Sequence, residues 1–108
     1  MTTNACQPIY STLATDPDLG EIVQLFVDEM PNRAANLRQR LEAADWGELR
    51  RAAHQLKGAA GSYGFEPITP AAARVEDAVC QAMPEEQIRQ MVDELIALCN
   101  SARAGTPA

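Results

Sequence analysis

The sequence predicts an all-α protein, an up-and-down bundle of helices, and three observations carry that prediction. Apolar residues recur at helical spacing through most of the chain from Asp16 to Arg103. Of the 108 residues 46% are hydrophobic but only 5% aromatic, a balance that suits closely packed helices better than a β-sandwich, whose strands favour aromatic and β-branched residues. The connectors between the last three helical runs are short, which favours antiparallel neighbours. No run needs to be a strand, and no repeat, low-complexity segment or second-domain boundary is found. The length suits one domain with one core.

Residues 1–15, with Pro8 and a cluster of Ser and Thr, read as a loose lead-in, with Ile9, Tyr10 and Leu13 lying on the domain. Residues 16–103 are the expected bundle and 104–108 a flexible tail. Asp16-Pro17 reads as a helix start, N-cap followed by proline at the first helical position. Ile22, Leu25, Phe26 and Glu29 then share a face, and Val23, Val27 and Met30 widen the apolar stripe. Pro31 removes a hydrogen bond and clashes with the preceding turn, so the helix is expected to end or kink there. Asn32 to Ala44 resumes the pattern, with Leu37 and Leu41 inward and Arg33, Arg38 and Arg40 outward. Asp45 is the expected N-cap of the next helix, with Glu48 completing a capping box. That helix runs from Trp46 to Tyr63 and closes at Gly64. Past a connector with two prolines, Thr69 and Pro70 repeat the N-cap and N1 signature. Ala71, Ala72, Val75, Ala78 and Val79 face inward in the helix that follows. The chain turns at Met83-Pro84, and the last helix, Glu85 to Arg103, carries Ile88, Met91, Val92, Leu95, Ile96 and Cys99 on its apolar side. Glu85 and Glu86 read as helix N-terminal charges.

The Trp46–Tyr63 helix holds the only histidine of the chain, His54, together with Gly58 and Gly61 in its interior. Each of those glycines costs about 1 kcal/mol relative to alanine, so the helix is expected to need the space they leave. With Leu49 at zero and about 100° per residue, Ala53, Leu56, Ala60 and Tyr63 fall within roughly 40° and form the buried stripe. Lys57, Gly61, His54 and Gly58 fall near 80°, 120°, 140° and 180°. The histidine is therefore expected on an exposed face, flanked by two missing side chains and a lysine, and offered to something large. A neutral imidazole is a nucleophile near neutral pH, and phosphoryl groups are natural electrophiles for it. Lys57 could neutralise phosphoryl oxygens, and Arg50 and Arg51 make the local surface more basic than the rest of the chain.

The net charge of −6 argues against nucleic acid or an anionic membrane as the main partner, since both need a basic footprint. Cys6, Cys80 and Cys99 form no C-x-x-C pair, and an odd number cannot all pair within one chain. A reducing cytoplasm is the expected compartment, because no long apolar run suggests a membrane span and residues 1–20 lack the regions of a signal peptide. Gly58-x-x-Gly61-x-x-Gly64 lacks the G-K-[ST] ending of a phosphate loop and lies on a helix. One histidine and scattered cysteines do not make a zinc cluster, and an alanine-rich bundle offers no concave site for a Ser-His-Asp hydrolase.

The segment His54-Gln55-Leu56-Lys57-Gly58-Ala59-Ala60-Gly61-Ser62-Tyr63-Gly64 closely resembles the H-x-L-K-G-x-x-x-x-x-G signature of histidine-containing phosphotransfer (HPt) domains of bacterial two-component phosphorelays. Phe26 to Pro31 and Ala72 to Ala78 look like that family's flanking helices, and the resemblance covers roughly residues 16–100. It implies an up-and-down four-helix bundle with an additional N-terminal helix. It implies that His54 accepts a phosphoryl group from an aspartyl phosphate on a receiver domain and passes it to another such aspartate. Lys57 would then bind the phosphoryl group and Gly58 would give clearance, with Arg50, Arg51, Gln55 and Gly61 completing the partner surface. Glu76 occupies the position from which family members hydrogen-bond the other ring nitrogen. From the residues alone it either orients His54 or sits as a solvated helix residue, depending on the packing of two helices. The implied partners are response-regulator receiver domains and a hybrid or sensor histidine kinase, with no nucleic acid or membrane, and the chain is expected to be a monomer. No cofactor of its own is expected, the divalent metal belonging to the receiver, and no ATP site, so it is a phosphocarrier rather than an enzyme.

Two other readings stand beside this one: a phosphoacceptor domain excised from a larger chemotaxis-type or hybrid kinase, and a non-catalytic adaptor that docks a receiver without carrying phosphate. Retention of His54 and Lys57 weighs against the adaptor, and Met1 and the short tail favour a free-standing carrier.

Overall fold

The computed structural model describes residues 8–13, 16 and 18–104. Four helices are found among them: α1 (Gly20–Glu42), α2 (Trp46–Ser62), α3 (Ile68–Cys80) and α4 (Glu85–Ser101). Each packs on its neighbour in sequence and α1 closes the ring against α4, as in an up-and-down four-helix bundle. Strands β1 (Ile9–Tyr10) and β2 (Ala102–Arg103) form a short parallel pair, Ile9 opposite Ala102 and Tyr10 opposite Arg103. The expected absence of strands is thus corrected. Two residues are too short to show a period of two, and it is the partner across the fold that makes them strands. The same pairing ends α4 at Ser101, short of the expected Arg103.

A separate additional N-terminal helix is not found among the described residues, because the two runs flanking Pro31 are one 23-residue helix. The buried residues of α1 explain why. Val23, Phe26 and Met30 before the proline continue into Ala34, Leu37 and Leu41 after it, a single seam at spacings of three and four. Burying each large apolar side chain is worth about 1.5–3 kcal/mol, and five of them together outweigh the roughly 3 kcal/mol that an interior proline costs. Pro31 itself is exposed. The continuous seam also rotates the expected face: Ile22 and Leu25 point outward, 39% and 64% exposed.

The helix ends differ in detail from expectation. Asp16 closes a turn rather than a helix, its Oδ1 accepting the Asp18 N–H at 2.8 Å and its carbonyl the Leu19 N–H at 3.1 Å. Helix α1 starts four residues later without a side-chain cap, and the expected first helical residue, Pro17, lies outside the described residues. Asp45 does cap α2, accepting the Glu48 N–H at 3.4 Å. The reciprocal half of the box is missing, because the Asp45 N–H is taken by the Arg40 carbonyl at 3.0 Å. Helix α3 begins at Ile68, ahead of the expected Thr69 cap. Phe65 and Ile68 are both fully buried and anchor the chain there, while Pro70, the third helical residue, gives up an N–H that has no intrahelical partner anyway.

Helices α1, α2 and α3 end alike. Asp45, Phe65 and Met83 donate their N–H groups back to Arg40, Ala60 and Ala78, the six-to-one bond of a Schellman cap. The residue before each donor is left-handed: Ala44 (φ 54°), Gly64 (φ 79°) and Ala82 (φ 52°). At Gly64 the lead-in crosses the end of α2. Thr12 donates its N–H to the Gly64 carbonyl at 3.0 Å and Ser11 donates its hydroxyl to the Tyr63 carbonyl. The rings of Tyr63 and Phe65 lie 5.1 and 5.2 Å from Phe26 of α1, tying the same corner to the core. No described helix is long and apolar enough to cross a membrane.

Candidate functional site

Leu49, Ala53, Leu56 and Ala60 bury one stripe of α2 completely, and this turns His54 to the surface with its side chain 63% exposed. Antiparallel α3 buries Ala72, Val75 and Ala78 against the same core. Glu76, one turn after the buried Ala72 on the same side of α3, is thereby held at the edge of the α2–α3 seam, its side chain 14% exposed. The small residues on both helices, Ala53, Ala60, Ala72 and Ala78, permit the close approach that brings this carboxylate to α2.

Glu76 bridges two residues of α2. Its Oε2 lies 2.8 Å from His54 Nδ1 and its Oε1 accepts a hydrogen bond from Lys57 Nζ at 2.8 Å. The histidine and lysine stand at i and i+3, one turn apart on the same face, so a single carboxylate reaches both. The Lys57 ammonium, its hydrogen bond foremost, lowers the Glu76 pKa; desolvation opposes it and the His54 hydrogen bond adds to it. An ionised carboxylate can only accept, so Nδ1 carries the hydrogen of that contact and Nε2 is left with the lone pair. The two ring nitrogens diverge widely across the imidazole, so with Nδ1 turned to Glu76 of α3 the Nε2 is directed away from that helix.

The glycines of α2 have room. A Cβ at Gly58 would meet no atom within 4 Å, and one at Gly61 only Thr69 Oγ1 at 3.8 Å, an ordinary contact. Packing within the chain therefore does not call for glycine at either position, although each weakens the helix by about 1 kcal/mol. Gly61 turns its open side toward α3 and Gly58 turns its own to bulk solvent. Arg50, Arg51 and Gln55 are exposed, with Gln55 on the α1 side above a shallow cleft it shares with Arg33, Asn36 and Leu37.

The structure brings His54, Lys57 and Glu76 into one cluster and spreads Arg50, Arg51, Gln55, Gly58 and Gly61 over the surface around it. Two features escaped sequence reasoning. One is the engagement of Lys57: the opposite charges were visible, but the helix register that joins them was not. The other is the exposed pair Ile22 and Leu25, on the stretch of α1 whose Phe26 packs against Tyr63 of α2. Its only sequence signal was an apolar stripe wider than one seam can bury.

The model of the Hpt domain family matches residues 21–105 of the chain, a span that takes in all four helices but for Gly20, the first residue of α1. No curated protein and no solved structure gives a significant match.

Proposed function

Because the chain belongs to the Hpt domain family, phosphocarriers of two-component signalling, we propose that His54 carries a phosphoryl group between receiver-domain aspartates in a phosphorelay. The observation that carries this reading is the 2.8 Å contact of Glu76 Oε2 with His54 Nδ1, which leaves one nucleophilic nitrogen, facing solvent. In the accepting step the Nε2 lone pair forms the N–P bond as the P–O bond of an aspartyl phosphate breaks, its electron pair returning to the carboxylate oxygen. The ring gains a positive charge that the Nδ1–H···Glu76 contact offsets. In the donating step a carboxylate oxygen of the acceptor aspartate forms the new P–O bond as the N–P pair returns to Nε2, and the ring leaves neutral because Nδ1 has kept its proton.

Lys57 has three N–H donors and can hold Glu76 Oε1 with one while turning another to a phosphoryl oxygen. Such charge-assisted bonds are worth about 1.5–3 kcal/mol. Gly58 is the clearance that lets a receiver approach Nε2, and Arg50, Arg51, Gln55 and Gly61 lie within its footprint. Ile22 and Leu25 add apolar area on α1. The acidic cluster and divalent metal of the reaction are assigned to the receiver, as is activation of the aspartate, so the chain needs no cofactor or nucleotide site. The same reading places it in the cytoplasm with a hybrid or sensor kinase upstream.

The test is phosphotransfer from a labelled receiver. His54→Gln is expected to keep the helical circular dichroism of the parent and to lose all acid-labile, base-stable label. Label that persists on this variant would rule out His54 as the carrier.

A further inference from the structure

A cavity of about 360 Å³ opens at the end of the bundle where α2 begins, α3 ends and α4 begins, lined by Trp46, Val79, Ala82, Met83, Glu85 and Ile88. That volume lies in the range of sites that receive a ligand or a bulky anchor residue. Trp46 lies eight residues before His54, about 12 Å along α2, so an occupant here would leave the phosphoacceptor face open. The walls are apolar except for Glu85, and Trp46, Val79 and Met83 are only partly buried against the core.

The rim is acidic. Asp45 precedes Trp46, Glu48 lies in the first turn of α2, and Glu85 and Glu86 lie in the first turn of α4. Glu42 stands at the end of α1, 2.8 Å from Arg89, which also reaches Glu85 at 3.5 Å. Helix dipoles do not neutralise these five carboxylates. In an up-and-down bundle the α2 and α4 N-termini at this end, each worth roughly +0.5, stand beside the α1 and α3 C-termini, each worth roughly −0.5. The cations near the rim are Arg89, already held between Glu42 and Glu85, Arg38, four residues before Glu42 and held by Asp93 at 2.8 Å, and Arg40, whose Nε is bonded to Asn36 at 3.2 Å. Arg50 is the next, a turn along α2 toward His54.

We infer that this cavity is a docking site for a basic amphipathic segment of another protein, one bulky apolar side chain filling the space between Trp46 and Met83 and flanking lysines or arginines pairing with the carboxylate rim. Tryptophan and methionine walls suit an inserted apolar anchor. An uncharged apolar ligand would leave the rim unpaired, and a polybasic chain without an anchor would leave the cavity unfilled.

Trp46 is the only tryptophan of the chain, so its emission reports on the cavity directly. The probe is a blocked helical peptide of leucine and lysine, with the leucine and glutamate peptide of the same pattern as control. The lysine peptide is expected to shift Trp46 emission saturably. Its affinity should fall steeply as the Debye length shrinks from about 10 Å at 0.1 M salt to about 3 Å at 1 M. The double variant Glu85→Lys, Glu86→Lys removes no core side chain and is expected to weaken binding about ten-fold or more. Met83→Lys is expected to do the same while leaving His54 phosphorylation at the parental rate. No saturable shift, equal binding of both peptides, or an unchanged affinity in the charge-reversed variant would overturn the inference. So would a concentration-dependent rise in mass with the same emission shift in the absence of peptide, which would assign the cavity to a second copy of this chain.

Discussion

At the scale of single residues, the site depends on one carboxylate serving two donors. Glu76 has its pKa lowered, chiefly by the Lys57 hydrogen bond, while an unfolded glutamate titrates at about 4.3. A carboxylate depressed in the folded state contributes stability that is present above the unfolded value and is lost as pH falls through the folded one. The bridge should therefore hold throughout the neutral range and open only in acid. Lys57→Ala is expected to move the Glu76 carboxyl titration upward, followed by carboxyl carbon NMR, and to move it further than His54→Ala does. An equal or larger upward shift in His54→Ala would mean that the lysine is not the main partner. The same lysine substitution should slow phosphotransfer roughly 10–100-fold, the equivalent of one charge-assisted hydrogen bond.

At the scale of the elements, the glycines and alanines of the helices and their C-terminal caps do different jobs that composition alone does not separate. Gly58 sits in open space, so Gly58→Glu should stabilise α2 by about 0.5–1 kcal/mol in urea denaturation while cutting the rate of receiver transfer. A variant that is more stable and transfers at the parental rate would remove clearance as the reason for the glycine. Gly64 is the opposite case. Its φ is +79°, and a Cβ would stand 2.5 Å from Thr12 Oγ1 and 3.0 Å from the Thr12 backbone nitrogen. Gly64→Ala should cost about 1–3 kcal/mol, combining left-handed strain with a clash. Ala44 occupies the equivalent left-handed position at the end of α1, and there Ala44→Gly should raise the unfolding free energy by about 0.5–1 kcal/mol. If Ala44→Gly lowers stability instead, the added freedom of the unfolded chain outweighs the relief of strain.

At the scale of the whole molecule, the bundle shuts one thiol inside and leaves another out. Cys99 of α4 is buried among α1 and α4 side chains, and burial pushes its thiol up to about 12, with Arg33 opposing weakly, whereas Cys80 at the end of α3 is exposed. Since the thiolate is the reactive form, iodoacetamide at neutral pH is expected to label Cys80 quickly and Cys99 only at the rate of global unfolding. Rapid labelling of Cys99 in the folded protein, read by mass spectrometry of its peptide, would mean that the α1–α4 seam opens locally. The seam is also crossed by exposed ion pairs, Arg38–Asp93 and Glu42–Arg89 at 2.8 Å each, which salt screens and which add little to burial.

What the sequence determined by itself is whatever repeats with the helix: the all-α class, the inward stripes of α2, α3 and α4, the exposed face of His54, and the Lys57 position one turn away. These follow from 3.6-residue periodicity acting within one element, and no neighbour is needed to read them. The tertiary structure decided what depends on two elements meeting. It joined the runs across Pro31, because one seam from Val23 to Leu41 buries more than two short ones. It turned Ile22 and Leu25 outward, started α3 at Ile68 through the burial of Phe65, and made strands of two dipeptides far apart in the chain. It also brought the Glu76 carboxylate to His54 and Lys57 together, because the register of α3 against α2 is fixed by how their small buried side chains interlock and by nothing within either helix.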